Sequence, residues 1–129
     1  MLKPIKKLLE ANVLLIALSI TILIAFLSIA NLGEIAPKEV LINDKLNHTI
    51  AYFFLTWSWL YTFQKKKKFP FKEILVVIFC IFFGILMEFL QWTLTSYRTA
   101  SFLDVLANSI GVLIAYVGVY FSPKKNQVF

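Results

Sequence analysis

The chain has 129 residues, 60% of them hydrophobic, with mean hydropathy +0.79 and a formal charge of +6. A soluble domain is about 45–50% apolar by a similar count. The excess here lies in long blocks, which excludes a soluble protein and leaves an integral membrane protein with one compact unit over residues 1–129. The lysines sit in short clusters beside those blocks, a topology pattern and not a nucleic-acid patch. Cys80 is the only cysteine, so no internal disulfide forms.

Residues 12–30 form the first apolar run, preceded by Lys3, Lys6 and Lys7. Nineteen residues in a helix span about 28 Å, close to the hydrocarbon thickness of a bilayer. A cleaved signal peptide would share the basic start and a small-x-small site at Ser28-Ile29-Ala30. The run is longer than a usual signal core, which favours a retained helix.

Residues 31–43 read as a loop, with Gly33, Glu34, Pro37 and Glu39. Asn43 and Asp44 then supply a helix start, because their side chains accept from the free amides of a first turn. The second helix is expected over 44–63. It is polar at first (Asp44, Lys45, Asn47, His48) and carries Trp57, Trp59 and Tyr61 at its far end, suited to an interfacial aromatic belt. Five lysines and Pro70 mark the next connection. A third helix is expected over 73–94 and a fourth over 101–121, joined by a short turn containing Arg98 and stopped by Pro123. The fold class is thus all-α, a bundle of four transmembrane helices.

Ten of the thirteen Lys and Arg fall at the N-terminus, after the second helix and at the C-terminus. Positive residues stay inside, so both termini are expected in the cytoplasm and the first and third loops outside.

That topology gathers the unusual residues at the outer surface. Asp44 and His48 lie four apart on the second helix. Gly84, Glu88, Gln91 and Thr95 make a helical stripe on the third, and Asp104, Asn108, Gly111 and Ala115 another on the fourth. Such spacings share one face. Small residues let helices approach, and polar residues bond across them. Packing the three faces together brings His48, Glu88, Gln91, Asp104 and Asn108 into one cluster, with Arg98 above it. A guanidinium there is able to pair with Glu88, Asp104 or a ligand phosphate. The N-termini of the second and fourth helices add anion-attracting partial charge.

Each residue also has a plainer role. Asp104 completes a Ser101-x-x-Asp104 capping box, and Asp44 serves as a cap. His48 suits an interfacial bond to a carbonyl, while Gln91 and Asn108 suit interhelical bonds that align the bundle. Glu88 resists this treatment, because a charged group at mid-helix costs at least about 2.5 kcal/mol in lipid and usually marks a site.

Three strings carry a family resemblance: Asp44-Lys45-Leu46-Asn47-His48-Thr49-Ile50-Ala51-Tyr52, Gly84-x-x-x-Glu88-x-x-Gln91, and Arg98-x-x-Ser101-x-x-Asp104-x-x-x-Asn108-x-x-Gly111. Together they resemble the VanZ-like membrane proteins. The resemblance implies a small multi-pass protein of the bacterial cytoplasmic (inner) membrane, from a family named for a glycopeptide-resistance cluster and associated with teicoplanin. One departure is that residues 95–97 read Thr-Ser-Tyr, where the family has a proline-containing turn before the arginine.

Three functions fit these residues. The first is a module that binds or protects an outer-leaflet envelope component, such as a lipid-linked precursor or a lipoglycopeptide antibiotic head. The second is an intramembrane acid–base enzyme acting on a lipid phosphate or ester through Glu88, His48 and Asp104. No serine or cysteine nucleophile stands in a recognisable motif, which argues against an enzyme. The third is a proton-coupled transporter, disfavoured because the polar groups lie near one surface and not at the midplane. Expected partners are membrane lipids and no nucleic acid. No cofactor is expected. Nor is a metal, since His48, Glu88 and Asp104 follow no recognised ligand spacing.

Overall fold

The computed structural model describes residues 2–29, 44–64, 72–94 and 102–121. Among these residues the fold is all-α, with four helices and no strand: α1 (Leu2–Ile29), α2 (Asp44–Gln64), α3 (Lys72–Leu94) and α4 (Phe102–Tyr120). The last three agree with the expected ranges to within one residue. α1 begins ten residues before the predicted start. Hydropathy reports where a helix is apolar, and nothing in Leu2–Glu10 breaks one, since Pro4 lies in the first turn where no intrahelical N–H is needed.

Three helices are long and apolar enough to cross a membrane: Asn12–Ile29 of α1, Lys72–Leu94 and Phe102–Tyr120. α2 is as long, at 21 residues, but falls short in hydropathy. Its place in the bundle explains this. α2 packs against all three other helices and most extensively against α4. It buries Thr56 and Ser58 along with Tyr52 and Leu55. A helix screened by its neighbours has less need of an apolar surface. The outward faces of the other helices are apolar, with Leu14, Ile22, Phe82, Leu86, Ile110 and Ile114 among the exposed residues.

Several hydroxyls in these helices are satisfied locally. Ser19, Thr21, Thr62, Thr93 and Ser109 each donate to the carbonyl four residues back. Each of these five donors is thereby kept from facing an apolar neighbour unpaired.

The core joins Ile24 of α1, Tyr52, Leu55 and Leu60 of α2, Val76 and Cys80 of α3, and Val112 of α4. α1 is tied in further by Trp59 Nε1, which donates to Thr21 Oγ1 at 2.9 Å. This corrects the expected aromatic belt. Of its three members only Trp57 is exposed, whereas Trp59 stacks on Phe63 against α3 and Tyr61 is buried. On this helix Trp59 and Tyr61 turn toward neighbouring helices, whereas Phe54 and Trp57 stay exposed.

Close approach of α2 and α4 depends on Gly111. A Cβ built there would overlap the carbonyl oxygen of Thr49 and lie 3.0 Å from the Phe53 amide nitrogen. Thr49 Oγ1 bridges the same crossing, donating to its own helix at Lys45 and lying 3.2 Å from the Ala107 carbonyl. Gly84 does a milder version of the same for α3, where a Cβ would sit 3.1 Å from Asn108 Nδ2 and 3.2 Å from the Tyr52 ring.

Candidate functional site

The two stripes read from the sequence face inward. On α3 the buried residues are Val76, Cys80, Gly84, Met87, Glu88 and Gln91. On α4 they are Asp104, Ala107, Asn108, Gly111, Val112 and Ala115. Both sets repeat every three to four residues, so each makes one face. His48 and Tyr52 supply the facing side of α2.

The cluster forms where α2 and α4 begin and α3 approaches its end. One side-chain donor atom from each of His48, Glu88 and Asp104 lies within 4.8 Å of the other two. Glu88 is 4% exposed and Asp104 5%. Two carboxylates this close and this buried repel each other unless positive charge, a proton or strong hydrogen bonds compensate them. Part of the compensation comes from Lys45, whose ammonium pairs with Asp104 Oδ1 from a side chain that is 48% exposed. The lysine lays its stem along the bundle and keeps its head near solvent.

His48 Nδ1 lies 2.8 Å from Asn108 Oδ1. An amide oxygen only accepts, so His48 Nδ1 donates, and in the neutral ring the lone pair resides on Nε2. Asn108 therefore sets both the tautomer and the orientation of the imidazole. Tyr52, one turn further along α2, is buried, and its hydroxyl has no hydrogen-bond partner among the described residues.

The fold thus brings His48, Glu88, Asp104 and Asn108 together from three helices. Gln91 is on the same buried face but reaches elsewhere. Its Nε2 donates to the Ser28 carbonyl of α1 at 2.7 Å, which ties the fourth helix to the cluster's edge. Asp44 opens α2. Arg98, Thr95 and the Ser101 half of the capping box lie outside the described residues.

Sequence reading missed two members of this site. Lys45 looked like one more polar residue of a first helical turn, and only the approach of α4 gives it Asp104. Tyr52 belonged to a recognised string, and its spacing of four from His48 was the available signal.

The chemical capacity of the arrangement follows. Two carboxylates, an imidazole of defined tautomer, an ammonium and a buried phenol converge at one end of the bundle. Such a set is suited to holding a cation, accepting and donating protons, or binding a polar group that approaches from the membrane surface.

The chain is 32% identical over 100 residues to a protein of Schizosaccharomyces pombe described as uncharacterized, an alignment covering 76% of this chain. The chain spans about three fifths of that relative's length, 59%. No solved structure matches it. The VanZ/LLP1 family matches across residues 6–122, all four helices included, and the chain is a multi-pass membrane protein belonging to that family.

Proposed function

We propose that this protein binds the polar head of an envelope lipid or lipoglycopeptide at the end of the bundle where His48, Glu88 and Asp104 meet. In this reading all four helices span the bilayer, α2 shielded by the other three. The termini are cytoplasmic, because the Lys clusters flank the ends of the helices opposite the cluster. The site then opens to the extracytoplasmic leaflet of a bacterial inner membrane. A lipid-linked cell-wall precursor or a teicoplanin-type head offers the phosphate, carboxylate and amide groups that such a site recognises.

One observation carries the reading. Polar groups separated by up to 60 residues in sequence converge at one end of an otherwise apolar bundle, a costly arrangement that usually serves a ligand. The test is binding of a fluorescent lipid-linked precursor to purified protein in nanodiscs. Saturable binding weakened by Arg98→Ala and by Glu88→Gln supports it. Absence of saturation, or equal binding by both variants, refutes it.

A second reading is hydrolysis of a lipid phosphate or ester, favoured by three titratable groups within 4.8 Å. Turnover of lipid-phosphate substrates that is lost in His48→Gln and Glu88→Gln identifies it. Binding without turnover eliminates it.

A further inference from the structure

The geometry points to a divalent transition-metal site, for Mn²⁺ or Zn²⁺, in which His48, Glu88 and Asp104 are the protein ligands and Asn108 orients the histidine. This deepens the proposed function, since the cation would be the group that engages a headgroup phosphate or carboxylate.

Three observations carry it. First, the donor atoms are near enough. A metal about 2.1 Å from each of three donors places them about 3.0–3.5 Å apart. The donors of His48, Glu88 and Asp104 lie within 4.8 Å of one another, so side-chain rotations of an ångström or so close the site without moving a helix. Second, the histidine is prepared as a ligand. Its Nδ1–H is held by Asn108 Oδ1, which fixes the ring's orientation and makes Nε2 the nitrogen that carries the lone pair in the neutral ring. A hydrogen bond from the remaining ring N–H to a fixed acceptor is the usual outer partner of metal-bound histidine. Third, the site holds a buried donor with no protein partner. The Tyr52 hydroxyl has none among the described residues, and the Tyr52 ring lies beside Gly84 and the Asn108 amide. A buried phenol with no protein partner among the described residues, on the same face of α2 as His48 and beside the face of α3 that carries Glu88, is suited to donate to a water or anion bound there.

The ligand types choose the metal. One imidazole with two carboxylates is a mixed nitrogen and oxygen set, better suited to Mn²⁺ or Zn²⁺ than to the all-oxygen preference of Ca²⁺ or Mg²⁺. Three protein ligands leave positions open for an oxygen of a bound anion. Lys45 pairs with Asp104, so metal and ammonium compete for one carboxylate.

That competition separates a metal site from a structural ion pair. The full chain is purified in nanodiscs, stripped with chelator, and titrated with Mn²⁺ while the free-ion electron paramagnetic signal is followed. Zn²⁺ is tested by calorimetry. One equivalent is expected to bind. His48→Gln, Glu88→Gln and Asp104→Asn each weaken binding at least tenfold, and Asn108→Ala weakens it about 10–100-fold as an outer-shell loss. Lys45→Met strengthens it severalfold. Glu73→Gln, an acid at the opposite end of α3, leaves it unchanged. Reactivity of the buried Cys80 toward maleimide checks that each variant is folded. Where one ligand variant unfolds, the half-buried His48→Gln and the gain in Lys45→Met decide the matter.

Binding insensitive to the three ligand variants, or no binding above the Glu73 background, overturns the inference. The wider reading is tested separately. Precursor binding that persists in chelator refutes the metal and leaves the binding site standing. Metal bound at one equivalent without precursor binding does the reverse.

Discussion

Gly111→Ala is the sharpest test of how α2 and α4 hold the cluster. The added methyl overlaps the Thr49 carbonyl oxygen and reaches 3.0 Å from the Phe53 amide nitrogen. Both are backbone atoms of α2, so no side-chain rotation relieves the contact. Ordinary carbon contacts are about 3.5–4.0 Å, and α2 must move away by roughly an ångström. Forced repacking of this kind costs about 1–3 kcal/mol. Alanine's higher helix propensity returns up to about 1 kcal/mol. Gly118→Ala isolates that opposing part, because a Cβ there meets nothing within 4 Å. The difference between the two variants therefore reads the packing cost alone. Cys80 is fully buried and serves as reporter, since a thiol-reactive fluorogenic maleimide labels it only as the bundle opens on heating. Gly111→Ala should open at lower temperature than wild type, and Gly118→Ala at the same temperature or higher. The displacement should also reach the site. Thr49 adjoins His48, and Asn108 lies one turn before Gly111, so the 2.8 Å His48–Asn108 bond lengthens. His48 is the only histidine, and its imidazole resonances follow this directly. Equal melting of the two alanine variants, with the His48 signals unmoved, would show that the close crossing of α2 and α4 is not a real constraint.

Three further outcomes follow from the same contacts. Asn108→Leu removes the acceptor of His48 Nδ1 and should cost about 0.6–1.7 kcal/mol, measured by denaturant titration in micelles, with loss of the single tautomer in the imidazole spectrum. In chelator, Lys45→Met should destabilise more than Asp104→Asn. The first strands a buried carboxylate, at about 1–3 kcal/mol, whereas the second frees a half-exposed ammonium to hydrate, at about 1 kcal/mol or less. The reverse order in thermal melts would mean that Asp104 is stabilised from elsewhere. Gln91→Leu and Trp59→Phe each cut one side-chain bond to α1, and the double variant should release that helix to limited proteolysis more readily than either single variant.

Much of the architecture was legible from hydropathy and residue spacing. Three helices occupy the expected ranges to within one residue and α1 extends ten residues further toward the N-terminus, because runs of about twenty apolar residues favour helix but do not mark where it starts. The inward stripes on α3 and α4 were equally plain. Glu88, Gln91, Asp104 and Asn108 fall at intervals of three and four beside Gly84 and Gly111, and all six are buried. The expectation of four spanning helices is met in part, since three of the described helices are long and apolar enough to cross a membrane and α2 is not. Its polar and aromatic residues lower its hydropathy, and it packs against all three other helices.

The sequence by itself determined the helices, their polar faces and the end of the bundle where those faces meet, since each depends on periodicity within one segment. Tertiary structure alone decided who touches whom. Lys45 meets Asp104 across 59 positions, Gln91 reaches α1 across 63, and His48 finds Asn108 across 60. It also brought donors of His48, Glu88 and Asp104, which share no ligand spacing, within 4.8 Å of one another, because they come from three different helices. The physical reason is that spacing records only what a single helix presents, whereas distances between helices are set by how closely small residues such as Gly111 let the backbones approach.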